Sequence, residues 1–105
     1  MAWILLSIAG FLEVVWAFAM KQSAGFTRPM WTVVMVATLI GSFILLATAM
    51  RTLPLGTAYT VWTGIGAVGA FVVGIAFLGE TASASRIFAA LLILSGIVMM
   101  KLTSP

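Results

Sequence analysis

Four runs of apolar residues, each about as long as a bilayer's hydrocarbon is thick, take up nearly the whole chain: about Ala2 to Met20, Met30 to Met50, Ala58 to Leu78 and Ser85 to Leu102. Hydrocarbon about 30 Å thick needs roughly 20 helical residues per crossing. A chain of 105 residues therefore has room for at most four crossings joined by short connections. Each break carries loop chemistry: Gly25, Arg28 and Pro29 in the first, Pro54 and Gly56 in the second, Gly79 and Glu80 with small polar residues in the third. Only 7% of the residues are charged and 64% are hydrophobic, too little charge to cover a soluble domain of this size. Within each run the apolar residues face every direction, as in helices that meet lipid or one another, and the alternation of a barrel strand is missing. The expectation is one all-α transmembrane domain over residues 1–105, embedded in the lipid bilayer.

The side-chain inventory narrows function before any motif is considered. Without Cys, His or Asp, a disulfide framework, the common metal clusters and the usual catalytic triads cannot be assembled. The chain is expected to be no enzyme and to carry no cofactor and no metal. Its five Lys and Arg residues stand singly at span ends, so no basic patch for nucleic acid exists. Met1 to Leu12 lacks the basic start of a secretory leader and reads as part of a span. Trp3 and Trp31 sit at span ends, where an indole favours the headgroup region.

With an even number of spans, the termini and middle loop lie on one side and carry Arg51 and Lys101; the first and third loops lie on the other and carry Lys21, Arg28 and Arg86. Lys and Arg retained in the cytoplasm set orientation. A difference of two against three hardly chooses one, and copies are expected to insert both ways.

Glu13 is the most informative residue, because it falls near the middle of the first span with no intramembrane Lys or Arg to neutralise it. An ionised carboxylate at that depth costs several kcal/mol, so an acid there marks a functional site by default. Such a group can exchange a proton for a cation. Glu80, in the third loop, reads instead as a solvated surface charge. Helical spacing places Ala9 and Gly10 on one side of Glu13 and Trp16 and Ala17 on the other, which puts an acid, an indole and open space on one face. Trp can donate a hydrogen bond to the carboxylate or offer its ring to the cation. Ser42 in the second span lies at comparable depth, where a hydroxyl serves equally well as a ligand or in helix packing.

The third span presents Tyr59, Trp62, Thr63 and Gly66 at spacings of three and four, a second aromatic and hydroxyl face. The following Gly64-Ile65-Gly66-Ala67-Val68-Gly69 spells a dinucleotide fingerprint. The match is spurious, because that motif needs a preceding strand and an acid about 20 residues on. Within a span, these glycines mean close packing and a bendable stretch. In the fourth span Ala89, Ala90, Ser95 and Gly96 are small enough for close helix contact, either within the subunit or between subunits.

Taken together, the strings Gly10-Phe11-Leu12-Glu13-Val14-Val15-Trp16-Ala17 and Leu53-Pro54-Leu55-Gly56-Thr57-Ala58-Tyr59-Thr60-Val61-Trp62-Thr63-Gly64-Ile65-Gly66-Ala67, with Lys21, Ser23, Gly25-Phe26-Thr27-Arg28 and Ser42, resemble the small multidrug resistance family. Trp16 points to its guanidinium-exporter subtype, since broad-specificity members have a small residue there. The resemblance implies an antiparallel homodimer of oppositely inserted copies in the cell inner membrane, exporting guanidinium by proton antiport. It implies that Glu13 binds substrate or proton, that Trp16 and Ser42 hold the carboxylate, and that Tyr59 and Trp62 form an aromatic wall. Gly10 and Thr63 line the site in that reading, Gly64 and Gly66 are the hinge of the third helix, and Ala89 and Gly96 make the dimer contact. Ala89 stands where relatives often have glycine. Two copies related by an axis in the membrane plane also suit the residues on physical grounds, because exchanging their conformations turns an outward-open site inward. Three other readings stay open: a quaternary-ammonium exporter of the same family, a proton-conducting rotor subunit, and a non-transporting accessory subunit.

Overall fold

A computed structural model describes residues Met1 to Thr103, so the last two positions of the expected domain, 104 and 105, lie outside the described residues. It contains four helices in chain order: α1 Ala2–Gln22, α2 Pro29–Ala49, α3 Leu55–Leu78 and α4 Ala84–Thr103. All four are long and apolar enough to cross a membrane. Among the described residues there is no strand.

The helix ends follow from a few residues. Arg28, held extended (φ −109°, ψ 104°) by the proline after it, is where α2 starts. In α3 the proline is itself the extended residue before the helix, Pro54 (φ −60°, ψ 150°), and the helix begins at Leu55, ahead of the apolar run expected from Ala58. At the other end Gly79 is left-handed (φ 69°, ψ 23°), and its N–H and that of Glu80 both return to the carbonyl of Gly74. Ser83 caps α4 by accepting the Arg86 N–H at 3.2 Å. The first loop wraps round the buried Ser23, whose hydroxyl donates to the Met20 carbonyl at 2.7 Å and accepts from the Phe26 N–H at 3.1 Å.

In hydrocarbon, a polar side chain needs a partner inside the protein. Ser7, Thr38 and Thr48 find theirs one turn back on their own helices, at 2.7 to 2.8 Å. Ser42 is different, because its hydroxyl crosses to α1.

α1 is the centre of the protomer and packs on both α2 and α3, whereas α4 packs on α3. The buried core is Leu6 and Ala9 of α1, Leu46 and Ala49 of α2, and Ala58, Val61 and Trp62 of α3. Alanines and glycines at these contacts let the backbones approach, which is how helices associate where lipid offers no hydrophobic drive. No residue of α4 is buried. Its two ends are held by cation–π contacts, with Lys101 Nζ 5.5 Å from the Trp3 ring and Arg86 Cζ 5.4 Å from the Phe71 ring. The protomer measures 43 × 34 × 16 Å between Cα extremes. Its shortest dimension is little more than one helix diameter of about 10–12 Å, so the protomer is a slab.

Candidate functional site

Glu13 sits midway along α1 on the face that meets α3. Its carboxyl group fills the space left by the missing side chain of Gly66, where an added Cβ would overlap it. One turn of α3 further on, a Cβ on Gly69 would likewise collide with Val14. Gly66 and Gly69 thus form a notch that admits α1 side chains against the α3 backbone. Glu13 Oε1 is buried and has no hydrogen-bond partner among the described residues, and the same is true of the indole Nε1 of Trp16, one turn away. No Lys or Arg makes an ion pair with Glu13 among the described residues. A buried acceptor left open costs about 1–3 kcal/mol, and more when charged. An open acceptor of this kind can take a proton or pair with a cation.

Gly10, a turn before Glu13, makes a second close approach: a Cβ there would stand 2.6 Å from Ile65 Cγ2. Gly64 faces α4, where a Cβ would fall 2.8 Å from Ile97 Cδ1. The three glycines of the fingerprint-like string therefore contact three different side chains, Ile97, Glu13 and Val14. α3 runs unbroken through them, and the positions expected to hinge, Gly64 and Gly66, are places of close helix approach in this conformation.

A polar joint lies on the α2 side of α1. The fully buried Ser42 donates to the Ala9 carbonyl at 2.7 Å and accepts from Trp62 Nε1 at 2.9 Å. A hydroxyl has one proton to donate, and in this conformation the Ala9 carbonyl takes that of Ser42 rather than the Glu13 carboxylate. Trp16 makes no hydrogen bond to Glu13 either. The Tyr59 and Trp62 rings lie against each other, with centroids 5.6 Å apart and a tilt of 36°, and Phe43 joins them 5.6 Å from Trp62. Trp62 is buried and Tyr59 half-exposed; Thr63 is exposed and lines an apolar groove between α3 and α4 with Gly96. Ala89 is exposed, and a Cβ on Gly96 would meet nothing within 4 Å.

Sequence reasoning missed Phe43 and the Ala9 carbonyl. Phe43 follows Ser42 directly, a signal that was there to use. The Ala9 carbonyl had none, because a backbone acceptor engaged across helices leaves no mark on residue type. Glu80 is exposed, and its carboxyl turns back over Gly74 at the end of α3.

The family model described as Small Multidrug Resistance protein matches residues 1–93. The chain is 54% identical over 104 residues to a guanidinium exporter of Citrobacter freundii, covering 99% of each chain. It is 54% identical to a guanidinium exporter of Yersinia pseudotuberculosis, covering 99% of this chain and all of the relative. A third guanidinium exporter, from Salmonella typhimurium, is 50% identical over 104 residues and 99% of both chains.

Proposed function

The chain belongs to the small multidrug resistance family, and from that premise we propose that it exports guanidinium ion in exchange for protons. It is a multi-pass protein of the cell inner membrane. The observation that carries the proposal is Glu13 Oε1, buried in the Gly66 notch and without a hydrogen-bond partner among the described residues. A carboxylate and a planar guanidinium match as two parallel N–H···O bonds. Glu13 holds either the guanidinium or a proton, and that exclusion couples the two fluxes. Trp16 offers its unpartnered indole N–H to the loaded carboxylate. Tyr59 and Trp62 give the cation an aromatic wall. Ser42 fixes Trp62 through its hydrogen bond, and it reaches Glu13 only by releasing Ala9.

The working unit is an antiparallel homodimer. A slab 16 Å thick does not by itself enclose a site, and two oppositely inserted copies do. Gly64 and Gly66 then allow α3 to bend as the two subunits exchange conformations, with α4 supplying contact through Ala89 and Gly96. Reconstitution into liposomes tests the function: an imposed proton gradient drives guanidinium uptake, and tetraalkylammonium ions, which lack N–H donors, are not carried. Transport of tetraalkylammonium with no response to guanidinium assigns the chain to quaternary-ammonium export instead.

A further inference from the structure

Between α1 and α3, at the end of the protomer that carries the first and third loops, lies a cleft of about 330 Å³ lined by three charged side chains, Lys21, Glu80 and Arg86. Its inner end is bounded by Val14 and Ala67, the chain neighbours of Glu13 and Gly66. Its outer end is at Lys21, eight residues beyond Glu13, or about 12 Å along the helix. The cleft thus runs from the helix ends inward to the residues next to the notch that holds Glu13.

Arg86 carries on its side chain the same planar fork as guanidinium ion. Its Cζ stands 5.4 Å from the centroid of the Phe71 ring, and its Nη1 donates to the Thr81 carbonyl at 3.1 Å. Glu80 lines the same cleft because the left-handed Gly79 reverses the chain, and its Cδ comes 2.9 Å from where a Gly74 Cβ would stand. Despite the two cations beside it, Glu80 makes no ion pair among the described residues. The mouth therefore holds an aromatic face and a carbonyl occupied by a tethered guanidinium, next to an unmatched carboxylate.

We propose that this mouth is an outer guanidinium subsite for which Arg86 holds the place of the substrate. An incoming guanidinium takes the Phe71 face and the Thr81 carbonyl, adds a pairing with Glu80, and releases Arg86 to water before moving inward to Glu13. Lys21 and Arg86 leave the lining with a surplus of positive charge, so a spherical cation without donors gains little there. A planar donor fork recovers hydrogen bonds and ring contact. The subsite rests on the reading of the chain as a guanidinium carrier, and its test does not require transport.

The test is nuclear magnetic resonance of the Arg Nε–H groups in the Glu13→Gln protein, where the central carboxylate is gone. The signals come from three arginines, Arg28, Arg51 and Arg86, each giving one or two peaks according to how fast the subunits exchange conformations, and Arg86→Lys identifies those of Arg86. Guanidinium chloride should move the Arg86 signal saturably while Arg28 and Arg51 stay put, sodium chloride at equal ionic strength should not, and a further Glu80→Gln should abolish the response. An Arg86 signal that answers sodium and guanidinium alike overturns the subsite. A second readout uses the protein with Glu13 intact. In liposomes at low salt, Glu80→Gln should raise the guanidinium KM by about fivefold at unchanged kcat, the factor that an exposed ion pair near 1 kcal/mol represents, and Arg86→Lys should lower the KM. A Glu80→Gln KM equal to wild type counts against the subsite, whereas wild-type protein that carries no guanidinium at all counts against the carrier reading.

Discussion

In the proposed exchange, the one carboxyl of Glu13 serves two ligands that exclude each other. Glu13→Gln keeps the size of the group and its fit against Gly66 but removes the charge. Proton-driven guanidinium exchange in liposomes should therefore vanish, while helicity and dimer fraction stay at wild-type levels. Substantial coupled transport by that variant would remove Glu13 from the centre of the mechanism. The same competition gives pH its sign: protonation neutralises the carboxylate, so equilibrium guanidinium affinity should fall as pH is lowered and level off once the carboxyl is fully ionised. Calorimetric titrations across pH check this, and an affinity flat from acid to alkaline conditions would place proton and substrate on separate groups. Ser42 gives a prediction of a different kind. Ser42→Ala leaves the Trp62 indole N–H and the Ala9 carbonyl without the partner they share, at about 1–3 kcal/mol for each buried group left open. Thermal unfolding in detergent should show a lowered midpoint, and an unchanged one would mean that neighbouring groups take over both bonds.

At the level of helices, the sequence made the apolar runs and their punctuation plain, because hydropathy and Pro or Gly chemistry are local properties. The glycines of α3 were legible as packing positions too, whereas Gly10 of α1, read as open space beside Glu13, lies against Ile65. Which residue each glycine accommodates was not, since that depends on helix rotation and axial offset: Gly66 takes Glu13, Gly69 takes Val14 and Gly64 takes Ile97. The acceptor of the Ser42 hydroxyl was left open for the same reason, because equal depth on two helices does not fix which acceptor it meets, here the Ala9 carbonyl. These contacts rank the glycines. Gly66→Ala must push the Glu13 carboxyl out of its notch, with an overpacking cost of about 1–3 kcal/mol, and should lose both thermal stability and guanidinium binding. Gly96 has open space around it within the protomer, so Gly96→Leu should leave protomer helicity and unfolding unchanged while lowering the dimer fraction in lipid, read by single-molecule photobleaching. An undiminished dimer fraction would take Gly96 out of the subunit contact.

For the molecule as a whole, the decisive quantities are its thinness and its balance of loop charge. A layer 16 Å thick with no buried residue on α4 does not by itself enclose a site, and Arg51 and Lys101 on one side against Lys21, Arg28 and Arg86 on the other give little bias in insertion. Both features fit copies that insert oppositely and pair about an axis in the membrane plane, which makes the two end states equal in intrinsic free energy. Forcing one orientation should then inactivate a protein whose every copy still folds. Two or three added Lys residues around Arg51 should keep the middle loop and termini in the cytoplasm, and the same additions near Arg28 should do the reverse. Neither variant should confer guanidinium tolerance on cells when expressed alone, with a C-terminal topology reporter confirming the bias of each. Expressed together, they should restore tolerance by forming mixed pairs, because each supplies the orientation the other lacks. Full tolerance from one strongly biased variant alone would require a parallel assembly, in which no in-plane axis relates the two faces and the inward-open and outward-open states differ in energy.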